Sequence, residues 1–182
     1  MDGGGPAASP EGGPAAFHLL SRWELGCPRE RIWDTLVDFH TWPRWWPGLE
    51  RVVETIHGDP DGIGQRATSV WRGPVGYSLR ITIESVERAQ PEFLRGVASG
   101  DVVGEGTWRL TPVAGPPDGP GDPWTAVEFD WDVRANRRWI EVLAPVARPV
   151  FVGGHDRVME RGATGLAAHL GCDLRGFSAR AS

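Results

Sequence analysis

From residue 49 to residue 135 the chain passes through six strand-like segments in succession, and from about Asn136 to Gly171 through one long stretch with helical apolar spacing. The segments are LERVVETIHG, IGQRATSVWRG, YSLRITIESVERA, EFLRGVASGD, EGTWRLTPV and WTAVEFDWDVRA. Punctuation such as GDPDG, RGPVG and AQPE separates them, which predicts an antiparallel meander. The strands also tell inside from outside. Val127, Phe129, Trp131 and Val133 share one face and Glu128, Asp130 and Asp132 the other, the period of two of a sheet wetted on one side. Trp108 and Leu110 oppose Arg109 and Thr111 in the same way. Leu79, Ile81 and Ile83 keep step until Val86 breaks their parity, which predicts a bulge or bend that curls the sheet. A curled sheet needs something to grip, and the late helical stretch supplies it.

That stretch does not hold one phase. At about 100° per residue Trp139, Val142, Leu143, Val146 and Val150 fall on one face, and Val158, Gly162, Leu166 and Leu170 on another about 150° away. PVFVGG, 149–154, lies between the two sets, so two helical pieces with a joint near Gly153 and Gly154 are predicted. Upstream, FHLLSRWELG puts Leu19, Trp23 and Leu25 on one parity, as a strand would, and PRERIWDTLVDF puts Ile32, Trp33, Leu36 and Val37 at helical spacing behind Pro28. HTWPRWWPGLE, 40–50, is limited by its prolines to a turn or two of helix. Residues 1–16, nearly all Gly, Ala, Pro and Ser, are expected to form a disordered tail. Residues 17–171 make one domain, 114–123 a loop insertion, and 172–182 a flexible C-terminal tail.

Composition narrows the function classes. A net charge of −5 without any Arg cluster argues against nucleic acid as partner. No apolar run reaches the roughly 20 residues of a membrane span, and the start of the chain lacks a signal peptide, so membrane insertion is not expected and a cytoplasmic location is. Cys27 and Cys172 have no CxxC partner or flanking His and read as two reduced thiols. GVASG, 96–100, misses the nucleophile elbow and GEG, 104–106, misses the dinucleotide loop; HExxH and phosphate-loop patterns are missing too, so no cofactor or metal is called for.

A strand, a helix with a tryptophan in its middle, a proline–tryptophan connector, six antiparallel strands and a long C-terminal helix together resemble the START-like helix-grip fold. Several phrases are more narrowly similar to the polyketide cyclase/dehydrase-like group of the SRPBCC superfamily. They are Cys27 through Trp33, then Leu36, Asp38 and Trp45, then SGDVVGEGTWRLTP, TAVEFDWDV, WIEVLAPVARPVF and HDRVMERGATGL, over about residues 17–171. The resemblance implies an α+β fold in which a curved antiparallel sheet of about seven strands wraps a long, kinked C-terminal helix, with two short helices after the first strand. It also implies an internal cavity for a hydrophobic small molecule. Members include aromatic-polyketide cyclases and lipid and quinone carriers. Relatives often place Asn before the His-Asp pair, where this chain has Gly154.

Candidate chemistry centres on His155, which falls on the apolar face of the second helical piece beside Phe151, Val158, Met159 and Gly162. An imidazole facing a cavity serves as general acid or base; the commoner fate of a buried histidine is a hydrogen bond, here to carbonyls freed at the helix break. Asp156 is rotated about 100° away, so a ready-made dyad is not expected. Tyr77, the single tyrosine, either orients a ligand carbonyl or caps the sheet end with its ring. Asp101 either faces the cavity as a buried acid or, as is more usual beside turn glycines, sits in a solvated turn. Trp23, Trp71, Trp108, Trp131 and Trp139 fall on inward faces; with Trp45, Phe151 and Met159 they form the expected ligand wall, beside the small residues Gly96, Ala98, Ser99 and Gly100. HTWPRWWPGLE is expected to fold over one end of the grip, with Trp45 in the wall and one of Trp42 and Trp46 at the entrance.

The expected function is to bind a hydrophobic, aromatic or polyketide-like small molecule and to promote its cyclisation or dehydration through positioning and proton transfer by His155 or Tyr77. A non-catalytic carrier or sensor of such a metabolite is the alternative, and a third is an interaction module with an exposed aromatic patch. Either a monomer or a homodimer fits the sequence.

Overall fold

The computed structural model describes residues 16–72, 78–116, 123–136 and 144–181, with side chains in the last stretch from Val152 onward. β1 (Ala16–Leu25) leads into α1 (Arg29–Val37) and α2 (Trp42–Trp45). β2 (Leu49–Ile56), β3 (Arg66–Arg72), β4 (Ser78–Ala89), β5 (Phe93–Gly100), β6 (Val102–Val113) and β7 (Trp124–Ala135) follow, then α3 (Ala144–Leu170) and β8 (Leu174–Ala181). The strands form one sheet in the order β2-β3-β4-β5-β6-β7-β1-β8, every neighbouring pair antiparallel. The six-strand meander and the two short helices are those the sequence predicts. The bulge is there as well, as a register shift between Ser85 and Glu87 where β4 meets β5.

Two expectations need correction. The sheet has eight strands rather than seven, because 174–181, expected as a flexible tail, pairs with β1. LRGFSARA is too short and too polar to announce a strand, with a glycine at its third position. Its order comes from partners far along the chain: Arg175 Nε donates to Glu24 Oε2 at 2.7 Å, its guanidinium lies 4.1 Å over the Trp124 ring, and Phe177 stacks on Trp23. The helix is also unbroken, running through Gly153 and Gly154 without the predicted joint. Glycine lowers helix propensity by only about 1 kcal/mol per residue, which the packing of a long amphipathic face outweighs. Cys27 and Cys172 are free thiols, as the sequence predicts, and they are neighbours. Burial pushes Cys27 up to about 12, with the Cys172 thiol beside it adding to the rise, and burial raises Cys172 as well. Residues 1–15 and 117–122 of the expected tail and loop lie outside the described residues.

The buried stripe of α3 has the periodicity of a helix lying on a concave sheet: His155, Met159, Ala163, Leu166 and Ala167 are all at most 8% exposed. Against it pack Trp23 and Leu25 of β1, Ile32, Trp33 and Leu36 of α1, and Trp108, Leu110 and Val127 of the sheet. Arg31 of α1 donates to the Leu170 carbonyl at 2.8 Å, placing a cation on the last turn of α3. The carbonyl end of α1 is held in turn by the Trp42 indole N–H, 3.1 Å from Leu36 O.

Two glycines of α3 decide how closely α2 can lie on it. A Cβ on Gly162 would stand 2.5 Å from Trp46 Nε1, and a Cβ on Gly165 would overlap the Trp45 carbonyl oxygen. With both side chains missing, Trp46 Nε1 reaches the α3 backbone and donates to Val158 O at 2.9 Å. Gly153 has nothing within 4 Å of such a Cβ. Gly165→Ala is therefore expected to lower stability by about 1–3 kcal/mol, since the obstacle is backbone, whereas Gly153→Ala gains about 0.5–1 kcal/mol from helix propensity. Urea melts of the two variants check this; a Gly165→Ala protein as stable as wild type would contradict the contact.

Candidate functional site

Inward-facing side chains of β2 to β7 enclose a cavity with α3 and the α1–α2 connection. Counted for the centre of a water-sized sphere, it holds about 180 Å³ of space, an order of magnitude above the ~10–15 Å³ that one water needs. This is room for a ligand rather than a packing fault. Eight of the lining residues carry rings, and six of these touch in an unbroken series. Trp71 meets Trp46 edge-on at 5.1 Å, and Trp46 meets Trp108 at 6.1 Å. Trp108 lies 4.3 Å from Phe129, Phe129 5.9 Å from Trp131, and Trp131 5.5 Å from His155. The floor is kept low by Gly96 and Gly106, which face each other across β5 and β6. A Cβ on Gly96 would stand 2.7 Å from Ile83 Cγ2.

Of the residues singled out in the sequence, the structure brings Trp71, Trp108, Trp131, His155 and Met159 to this lining. Trp23 is buried one layer back, edge-on to Trp108 at 5.9 Å. Trp45 also sits behind the wall, stacked at 5.2 Å on Trp46, which takes the wall position that the sequence assigned to Trp45. Trp42, half-buried, reaches the same end of the cavity beside Phe39. Asp101 is the turn residue between β5 and β6: its carboxylate accepts the Arg80 N–H at 2.7 Å and its carbonyl the Asn136 N–H. Among the small residues Ser99 and Gly100 are exposed and Ala98 belongs to the core. Tyr77 and Trp139 lie outside the described residues, as does the side chain of Phe151.

Several lining residues carry no sequence signal of their own. Ser85, Gln65 and Arg88 form a polar end on β4 and just before β3, and Ser69 in the middle of β3 takes the Trp71 indole N–H at 2.9 Å. Arg88 faces inward because the register shift at Ser85 and Glu87 exchanges the two faces of β4 beyond it. Only the parity break at Val86 hints at this in the sequence.

Among the described residues His155 is the one ionisable group set in the ring series. Its side chain is 5% exposed, and among the described residues neither ring nitrogen has a hydrogen-bond partner. The helix does not break, so the freed carbonyls expected to hold the ring do not arise. Asp156 turns back towards it, with Oδ1 3.6 Å from Nδ1, longer than a hydrogen bond. Trp131 Nε1, the next polar atom along the ring series, is also buried and unpartnered among the described residues.

An open antiparallel sheet curled around a long C-terminal helix, with the cavity between them, defines the START-like helix-grip class. The chain belongs to the family described as polyketide cyclase / dehydrase and lipid transport, whose profile matches residues 21–171. Solved structures share the fold. A START superfamily protein from Mycobacterium smegmatis is 20% identical with a TM-score of 0.65, over 85% of this chain and 97% of that one. A conserved protein from Geobacillus kaustophilus is 14% identical with a TM-score of 0.66, over 87% and 99%. The Zhui aromatase/cyclase from Streptomyces sp. R1128 is 16% identical with a TM-score of 0.63, over 85% and 93%. No curated protein matches the chain. Among the described residues no helix is long and apolar enough to cross a membrane.

Burial pulls the His155 imidazole down from 6.5 to about 4, against the opposing pull of the Asp156 carboxylate. The unfolded chain therefore binds the proton more readily than the folded one between those two values. The stability from a neutral, buried His155 is complete above about pH 6.5 and lost as pH falls towards 4. At 1.36 kcal/mol per pKa unit the loss amounts to roughly 3 kcal/mol at most. Urea melts at pH 7 and pH 4.5 should show His155→Gln losing less stability than wild type on acidification; equal losses would mean that the imidazole is not neutral in the fold.

Proposed function

We propose that the protein binds a flat hydrophobic small molecule in this cavity and promotes its cyclisation or dehydration. The observation that carries the reading is the ring series from Trp71 to Trp131 ending on a buried imidazole with both nitrogens unpartnered among the described residues. Flat rigid walls restrict a flexible chain to few shapes, and well-oriented intramolecular reactions gain about 7–11 kcal/mol from such positioning. With its pKa near 4, His155 is neutral at physiological pH and a weak base. Its use is to accept a hydrogen bond at one nitrogen and donate one from the other, polarising a carbonyl and passing its proton as an enol forms or water leaves. The family description and the aromatase/cyclase with which the fold is shared support a ring-forming reaction.

Carriage of a hydrophobic metabolite is the second reading, favoured by that same depressed pKa and by the lipid transport in the family description. The two readings part in one experiment. Poly-β-ketone chains incubated with the protein should yield ring products faster than in buffer, with the rate falling by about 10²-fold in His155→Gln while binding, read by tryptophan quenching, stays nearly unchanged. Tight binding without any acceleration would leave the carrier reading alone standing.

A further inference from the structure

The charged groups in the cavity lining are of one sign. Arg72, Arg88 and Arg95 are there, and among the described residues no carboxylate is. Two of the three arginines are already paired. Arg72 Nε lies 2.6 Å from Glu50 Oε1. Arg95 reaches Glu87 at 3.0 Å and Glu105 at 3.2 Å. Arg88 differs: among the described residues no carboxylate comes within ion-pair distance of it, and it is only partly exposed. Its Nε donates to Ser85 Oγ at 2.8 Å and one Nη to Gln65 Oε1 at 2.6 Å, both partners neutral. The Gln65 amide is itself fixed by donating to Glu54 Oε1 at 2.9 Å, which turns its oxygen towards the guanidinium. The turn between β2 and β3 covers Arg88 so closely that a Cβ on Gly62, whose φ is +79°, would run into its Nη1. The cation is thus held in place before any ligand arrives, with N–H donors left over from a planar fork of five.

A partly buried guanidinium with no carboxylate in contact loses hydration and recovers only part of it from neutral partners and from a more distant charge such as Asp59. Burial pulls its pKa downward, against the opposing pull of the Asp59 carboxylate. A brace for the turn would need only the hydrogen bonds, which a neutral side chain also supplies; a positive charge held by neutral partners, with no carboxylate in contact among the described residues, beside a wall of rings suits an anion.

We propose that the ligand of this cavity is an aromatic or polycyclic acid, its rings lying among Trp46, Trp71, Trp108 and Phe129 and its carboxylate on Arg88. The inference rests on reading the cavity as a ligand site and adds the charge of what fills it. Two flat probes of nearly equal shape, anthracene-2-carboxylate and anthracene-2-carboxamide, test it by quenching of tryptophan emission. The wild-type protein should bind the acid about tenfold or more tightly than the amide, the gain of a charge-assisted hydrogen bond. Arg88→Met should bind the two alike, with the affinity for the amide retained, and Arg88→Lys should keep part of the preference. Equal affinities in wild type, or a preference that survives Arg88→Met, would overturn the proposal while leaving the cavity a ligand site. Binding of neither probe would overturn both readings. The wild-type comparison decides by itself should Arg88→Met melt early.

Discussion

Everything at the helical end of the cavity depends on how closely α2 lies against α3. Two side chains fewer on α3, at Gly162 and Gly165, let the Trp45–Trp46 pair settle on the helix backbone, where the Trp46 indole donates to Val158 O. The contact fixes three things together. It closes the cavity at that end, it places Trp46 between Trp71 and Trp108 in the ring series, and it sets the rotation of α3 that turns His155 and Met159 inward. A bulkier α3 would hold α2 off the helix and open the ring series at its centre.

The opposite end depends on one irregularity. Without the bulge between Ser85 and Glu87, β4 would keep a single apolar parity, and Arg88 would stand on the outer face with Arg80. With it, a strand that begins by contributing Leu79, Ile81 and Ile83 finishes by contributing a cation. The cavity therefore has a chemical direction, from a neutral imidazole among rings to a guanidinium held by Ser85 and Gln65. A fold built mainly from apolar packing becomes selective through a few polar atoms at defined places.

How far the chain can be read without its structure follows from the range of the forces involved. The meander, the two short helices, the late helix and the curl of β4 were all legible, because periodicity and Gly/Pro punctuation act over a few residues. Trp71, Trp108 and Trp131 were assigned inward by strand parity, and they line the cavity. Parity separates inside from outside and says nothing about depth, which is why Trp23 falls one layer behind the wall. The same limit put Trp45 in the wall position that Trp46 takes, since two adjacent tryptophans differ only in what they pack against.

By itself, then, the sequence determined the order and type of the elements and the apolar face of each, and its resemblances pointed to the grip of a sheet on a helix. Tertiary structure decided the rest. Strand β8 exists through Glu24, Trp124 and Trp23, and α3 stays whole through packing that outweighs two glycines. Arg88 enters the cavity through a register shift between two strands. Each of these balances is settled by atoms far apart in the chain, and no local pattern carries their free energy.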